Sequence, residues 1–203
     1  MAMLPSIFLE LSKLYRDNGF HLYIIGGTSR DILLGMDPLD FDFVTDATPE
    51  QEKAFLPDAH YDFARFGSIK IFNNGIEIDI TTLREEGEYK DYRHPSYVKF
   101  ITSPEVDSWR RDFTINAIYI DESGATLDFH GGLADLENKI IRFIGDPDKR
   151  IQEDPLRILR AYRFQKRLKG FHFDPLTEEA LKRNEPLLAK LNPDKVLLEK
   201  NKE

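Results

Sequence analysis

Residues 24–45, IIGGTSRDILLGMDPLDFDFVT, decide the architecture. The apolar run HLYII (residues 21–25) reads as a buried strand that passes directly into Gly26-Gly27. Residues 28–35 follow as a short helix ended by Gly35, and FDFVT (41–45) forms a second strand. A strand, a glycine turn, a helix and a strand carrying alternating acids therefore stand within one short block. Such a block needs a sheet to belong to, and the flanking sequence supplies it.

Upstream, Leu4, Ile7, Phe8, Leu11, Leu14 and Tyr15 recur at helical spacing, with Gly19 as the stop. Downstream, Thr48-Pro49-Glu50 opens another helix with proline at its first position. SIKIF and IEIDITTL pair across the Asn73-Asn74-Gly75 turn. Residues 84–104 are polar, contain Gly87, Pro95 and Pro104, and hold no sustained period, so a mobile loop of functional length is expected there. A helical turn around RRDFTINA (110–117), strands near AIYID and ATLDF, a Gly131-Gly132 turn and strand IIRFI come next. From about Asp146 the chain is expected to be entirely helical, with Pro155 and Pro175 at helix starts. No internal repeat or low-complexity tract interrupts this order.

The chain has 203 residues, 41% of them hydrophobic, which is enough to bury a real core. It has no cysteine, so disulfides and thiolate metal sites are excluded. It lacks a basic leader and any run of 18 apolar residues, which predicts a soluble cytoplasmic protein with no membrane partner. The net charge of −8 argues against binding nucleic acid through overall charge. The positive charge is uneven, however. Arg157, Arg160, Arg163, Lys166, Arg167 and Lys169 occur with no acid between them, and a nucleic-acid site is expected near that stretch. The five histidines show no metal-ligand spacing.

On a strand, side chains at i and i+2 share a face, roughly 6.5–7 Å apart at the backbone. Asp40 and Asp42 can thus converge on divalent ions while Phe41 and Phe43 pack behind them. Hard carboxylate and phosphate oxygens are what Mg²⁺ prefers. Asp79 is the candidate third carboxylate, and Glu77, on the same face, is its rival. Read alone, the acidic pair fits the charged outer face of an edge strand better than a metal site. Gly26 and Gly27 would let backbone N–H groups approach phosphate at the start of a helix. Arg30, one turn on, could grip a triphosphate as a fork. The bland alternative is a tight turn beside a surface arginine.

The order of the pieces is more specific than any one of them. IIGGTSRDILLG, DFDFVT, EIDITTLR, RRDFTINA, DFHGGLADLENKIIRFIG and EDPLRILRAYRF, in that sequence, resemble the class II tRNA nucleotidyltransferases. That family comprises the CCA-adding enzymes and related bacterial poly(A) polymerases, and the resemblance covers nearly all of residues 20–170. It implies an α+β fold: a polymerase-β-like head with a small mixed sheet (residues 1–145), then an all-helical neck segment (146–203) that ends while still forming. It further implies that Asp40 and Asp42 bind Mg²⁺ and that Gly27 and Arg30 contact the triphosphate. Arg111 would contact the nucleotide, Asp112 would face the ribose, and Asp154, Arg157, Arg160 and Arg163 would hold the incoming nucleotide. The activity implied is template-independent addition of C and A from CTP and ATP to a tRNA 3′ end, with pyrophosphate released. Loop 84–104 resembles one found in A-incorporating members, which favours CCA over CC addition. The alternatives are a poly(A) polymerase and a non-catalytic RNA- or nucleotide-binding relative. Without the family's body and tail, tRNA affinity of this chain alone is in doubt, and the oligomeric state is open.

The carried-over base contacts have a physical rationale. Asp154 and Arg157, three apart on an expected helix, would share a face. An ionised Asp only accepts hydrogen bonds and Arg only donates. Cytosine and adenine both present an amino donor beside a ring-nitrogen acceptor. Uracil and guanine present the reverse, and mismatched buried polar groups discriminate on the order of 10⁴-fold. The isolated pair would otherwise be a weak surface ion pair.

Overall fold

The apolar stripe at the N-terminus forms helix α1 (Ser6–Asp17), whose buried Phe8, Leu11 and Tyr15 lie on one face. The computed structural model describes residues 4–87 and 95–200. Strands β1 (Leu22–Ile24), β2 (Phe41–Thr45), β3 (Ser68–Asn73) and β4 (Ile76–Thr82) fall where the alternation placed them. Helix α2 (Gly26–Leu33) starts two residues earlier than expected, at the first glycine. Helix α3 (Pro49–Glu52) has a complete capping box, Thr48 and Gln51 each satisfying the other's backbone. The β3–β4 turn carries positive φ at both Asn74 and Gly75, the pattern of a tight two-residue hairpin.

Residues 84–104 depart from the expected loop. Strands β5 (Arg84–Glu86) and β6 (Val98–Phe100) pair as a small ribbon, and Gly87 N–H donates to the Tyr97 carbonyl at 3.0 Å. Helix α4 (Pro104–Ser108) follows, capped by Ser103. Residues 88–94, the middle of that expected loop, lie outside the described residues. Strands β7 (Ile118–Ile120) and β8 (Thr126–Asp128), helix α5 (Gly132–Glu137) and strand β9 (Ile140–Ile141) come next. The region after Asp146 is not wholly helical. Between α6 (Pro147–Glu153), α7 (Leu156–Arg167) and α8 (Pro175–Asn184) sits β10 (His172–Phe173), paired in parallel with β9. A final helix, α9, spans Pro193–Lys200. No helix among the described residues is long and apolar enough to cross a membrane.

The chain forms two compact units: Met1–Glu85 with Val98–Arg110 and Asn116–Phe129, and Glu86–Tyr97 with Arg111–Ile115 and His130–Glu203. The first is built on a six-stranded mixed sheet of order β3-β4-β2-β1-β7-β8. Strands β2 and β4 run parallel and the other neighbours antiparallel. Alternation sorts its two faces. Ile24, Phe43, Ile69, Ile78, Ile80 and Ile120 pack with α1 in the main core. Ile25, Val44, Leu83 and Tyr119 form a smaller cluster on the other face, which also carries Asp42, Asp79 and Lys70. The second unit has an aromatic centre, Phe113 stacked on Phe143 at 4.7 Å and edge-on to Phe164 at 5.5 Å.

One buried carboxylate lies in the main core of the first unit. Glu52 of α3 is fully enclosed and accepts from Tyr15 Oη of α1, while its Oε2 has no hydrogen-bond partner among the described residues. Burial pushes the Glu52 carboxyl up to about 8, against a smaller opposing effect of the Tyr15 hydrogen bond. Because the folded value lies above the ordinary 4.5, the folded state binds the extra proton between those limits. This group's contribution is therefore complete below about pH 4.5 and declines as pH rises to about 8. Glu52→Gln keeps an acceptor for Tyr15 and cannot ionise. Urea denaturation should find the variant the more stable at pH 8, by on the order of a few kcal/mol relative to the difference at pH 4. A pH-independent difference would mean that Glu52 is not held protonated.

Candidate active site

The glycine turn and the acidic strand are joined by the backbone. Ile25, extended at φ −146°, donates its N–H to the Asp42 carbonyl at 3.1 Å. Gly26 then takes φ +68°, a conformation that L side chains rarely adopt. A Cβ there would also sit 3.2 Å from Asp42 Oδ2, a tight contact with the carboxylate. Thr28 completes the link: its hydroxyl donates to the Asp40 carbonyl and accepts from the Asp42 N–H, both at 2.8 Å. The two aspartates are thus fastened to α2 by one buried side chain.

Asp40, which the alternation placed on the strand, lies just before it. Strand β2 begins at Phe41, and Asp40 occupies the exposed bend before it. Its position follows from the Thr28 clamp on its carbonyl rather than from strand pleat. Asp42 and Asp79 are register partners across β2 and β4, and Asp79 and Lys70 are partners across β4 and β3. The row Asp42–Asp79–Lys70 therefore crosses three strands on one face. Lys70 Nζ lies 3.2 Å from Asp79 Oδ1 and also bonds Glu77. Among the described residues no group of three or more acidic, His or Cys side chains is gathered closely enough to hold a metal. The carboxylates on offer are the Asp40–Asp42 pair, with donors of the hard type Mg²⁺ takes. A six-coordinate ion on this pair would need its remaining oxygens from phosphate and water.

Arg30 is neither a surface residue nor an open fork; it is 0% exposed. Its Nε and Nη2 donate to Asp31 Oδ1 at 2.8 and 2.6 Å, and Nη1 donates to Asn116 Oδ1 at 2.9 Å. Nη2 lies 3.5 Å from where a Gly27 Cβ would stand, so the positive charge sits directly behind the turn. Asn116 of the RRDFTINA segment is accordingly a brace for this arginine.

In the second unit, Arg157, Arg160 and Arg163 each meet a carboxylate. Asp154 and Arg157 do not share a helical face. Asp154 is the extended residue that ends α6, at φ −149°, and Pro155 starts α7 behind it. Its Oδ1 accepts from the Leu156 N–H at 3.1 Å and its Oδ2 from Arg160 at 2.9 Å. Arg157, 3% exposed, instead donates to Glu153 at 2.8 Å and to the Arg150 carbonyl at 2.6 Å. Arg160 Nε also lies 3.1 Å from Asp112 Oδ2, and Arg163 lies 3.1 Å from Glu199 of α9. Burial alone would raise the Asp112 carboxyl, but Arg160, Arg157, the Phe113 N–H and Arg150 hold it below the usual carboxylate range. Arg111 contributes its carbonyl to Arg150, at 2.9 Å.

Residues 22–142 match the family model of the poly A polymerase head domain. The chain belongs to that family. The CCA-adding enzyme of Lactobacillus helveticus is 40% identical over 196 residues, 95% of this chain and 49% of its own length. The CCA-adding enzyme of Bacillus stearothermophilus, solved in complex with CTP, superimposes with a TM-score of 0.85 at 34% identity, over 97% of this chain and 48% of that one. The Thermotoga maritima CCA-adding enzyme complexed with tRNA_CCA gives 0.75 at 31%, over 98% of this chain and 47% of its own. This chain spans about half the length of the curated relatives it matches. The polymerase-β-like α+β head expected from the motif order is the fold of this family member.

Four residues that hold the candidate side chains of one unit or the other escaped the sequence reading. Thr28 and Lys70 sit beside quoted motifs but carry no pattern of their own. Glu153 and Glu199 became visible only when α6, α7 and α9 brought them to the arginines.

Proposed function

We propose that this chain is the catalytic part of a cytoplasmic tRNA nucleotidyltransferase, adding C and A to tRNA 3′ ends from CTP and ATP and releasing pyrophosphate. The observation that carries the reading is the Asp42 carboxylate, whose Oδ2 lies 3.2 Å from where a Gly26 Cβ would stand, beside a turn that has no side chain there. A turn without side chains beside an acidic pair suits a nucleoside triphosphate with its cation. Kinship to CCA-adding enzymes supports the substrate class.

In this reading residues 1–145 do the chemistry and residues 146–203 form a helical neck. Asp40 and Asp42 would hold a divalent cation, Mg²⁺, which when bound would activate the RNA 3′-hydroxyl and neutralise the leaving pyrophosphate. Asp79 is the candidate third carboxylate. The Gly27 backbone approaches the triphosphate, and buried Arg30 adds its charge from behind the turn. Arg111 contacts the nucleotide and Asp112 faces the ribose. Arg160 and Arg163 complete the hold on the nucleotide. Acceleration comes from positioning and charge neutralisation, with no covalent enzyme intermediate.

Asp154 and Arg157 read the base, an acceptor and a donor held rigid by Leu156 N–H, Arg160 and Glu153. Pre-bonded partners suit a template-free reader, because the pattern must not rearrange to admit uracil or guanine. Asp154→Ala should therefore lower the kcat/KM preference for CTP over UTP by on the order of 10²-fold. Equal loss for both nucleotides would count against base reading.

Time-resolved product length tests the activity itself. Growth that stops after three nucleotides on tRNA lacking its CCA end fits the proposal; long A tails on varied RNA fit a poly(A) polymerase. No incorporation of labelled nucleotide with Mg²⁺ would favour a non-catalytic relative.

A further inference from the structure

We infer that Asp107 of α4 is a positioning residue for nucleotide transfer, fixing the stem of the β5–β6 ribbon and Arg110 to the sheet face that carries Asp42. The inference rests on the reaction proposed above. Asp107 is fully buried, and its carboxylate takes donors from three separate parts of the chain. Oδ1 accepts from the Arg84 N–H at 3.0 Å, where β5 begins, and from Arg110 Nε at 2.9 Å. Oδ2 accepts from Tyr119 Oη of β7 at 2.7 Å. A buried carboxylate is costly unless its lone pairs are met, and here three donors converge on it. Apolar side chains of similar volume would serve packing as well. What the carboxylate adds is direction, because hydrogen bonds fix where each donor stands and apolar contact does not.

These bonds reach the candidate site through the sheet. The Tyr119 ring packs with Ile25, Val44 and Leu83 in the smaller cluster, on the face that also carries Asp42 and Asp79. Ile25 donates to the Asp42 carbonyl, and Val44 follows Asp42 on the same face of β2. The ribbon stem is tied to this sheet by its own backbone as well. Leu83 N–H donates to the Thr45 carbonyl at 2.8 Å, and Ile101 N–H donates to the Leu83 carbonyl at 2.9 Å. Arg84 Nη1 donates to the Phe66 carbonyl. Phe100 of β6 fills the space at Gly67, with Cε1 only 2.7 Å from where a Cβ would stand. Asp107 thus joins the stem, the first residue of RRDFTINA and the cluster beside the glycine turn. The bland reading is a buried ion pair that serves the fold alone.

Amide hydrogen exchange on the whole chain, with steady-state incorporation of labelled CMP into tRNA lacking its CCA end, separates the two. Asp107→Asn keeps the shape and one acceptor but loses the charge-assisted bonds, which are the stronger kind. It should speed exchange about tenfold over residues 83–86 and 98–101 and leave the β3–β4 hairpin unchanged. Its kcat should fall about tenfold, and that of Asp107→Ala about 10²-fold. The KM for CTP should stay within about threefold of wild type, since misalignment rather than a lost contact is the cause. Wild-type exchange over the stem, or wild-type kcat, in Asp107→Asn overturns the role of Asp107 and leaves the proposed reaction standing. Faster exchange that extends to the β3–β4 hairpin, with kcat falling only as far as the folded fraction, overturns it too and marks a residue of the fold. If Asp107→Ala does not fold, Asp107→Asn decides alone. A wild-type chain that incorporates nothing overturns the reaction and the role together.

Discussion

Asp42→Asn is expected to lower nucleotide incorporation at least about 10³-fold, because one charged ligand of the proposed metal is lost at the position where negative charge develops. Asparagine preserves the volume against Gly26 and leaves the Asp42 backbone bonds to Thr28 and Ile25 in place. The melting temperature should therefore move by no more than a few degrees. Incorporation of labelled CMP, together with a melting curve, checks both halves. Activity within tenfold of wild type would remove Asp42 from the metal site. Loss of activity with loss of fold would mean that the carboxylate is structural.

Arg30→Met should produce the largest change in stability, about 3–5 kcal/mol in urea denaturation. Asp31 is 2% exposed and bonds Arg30 through two nitrogens, and methionine would remove that buried ion pair. Much of the cost comes from the carboxylate left in the interior without Arg30, so the double variant Arg30→Met/Asp31→Leu should recover part of it. Recovery would identify a buried ion pair. A single-variant loss below about 1 kcal/mol would fit a solvent-screened pair instead. Since domains are stable by only about 5–15 kcal/mol, a loss of this size is a large share of the total.

Much of the first unit could be read from residues alone, because its strands alternate cleanly. In β2, Phe43 faces one cluster and Val44 the other, so both faces of the strand are apolar at that point. The Asn74-Gly75 hairpin and the Thr48 cap carried local chemistry that needs no tertiary context. What escaped was short or long-range. Strands β5 and β10 have three and two residues, too few to display a period. The candidate site residues were picked by motif, but their bonding was not legible. Arg30 reads as a surface fork until Asn116, 86 positions away, is seen to meet it. Asp154 and Arg157 read as helical neighbours because nothing in EDPLR marks the break between α6 and α7 except the proline itself, which also suits a helix start.

The Thr28 hydroxyl bridges Asp40 and Asp42, so the acidic segment takes its shape from helix α2 as much as from its own strand. The glycine turn and the carboxylates consequently travel as a single mechanical part. Any displacement of α2 would carry both along without altering their spacing.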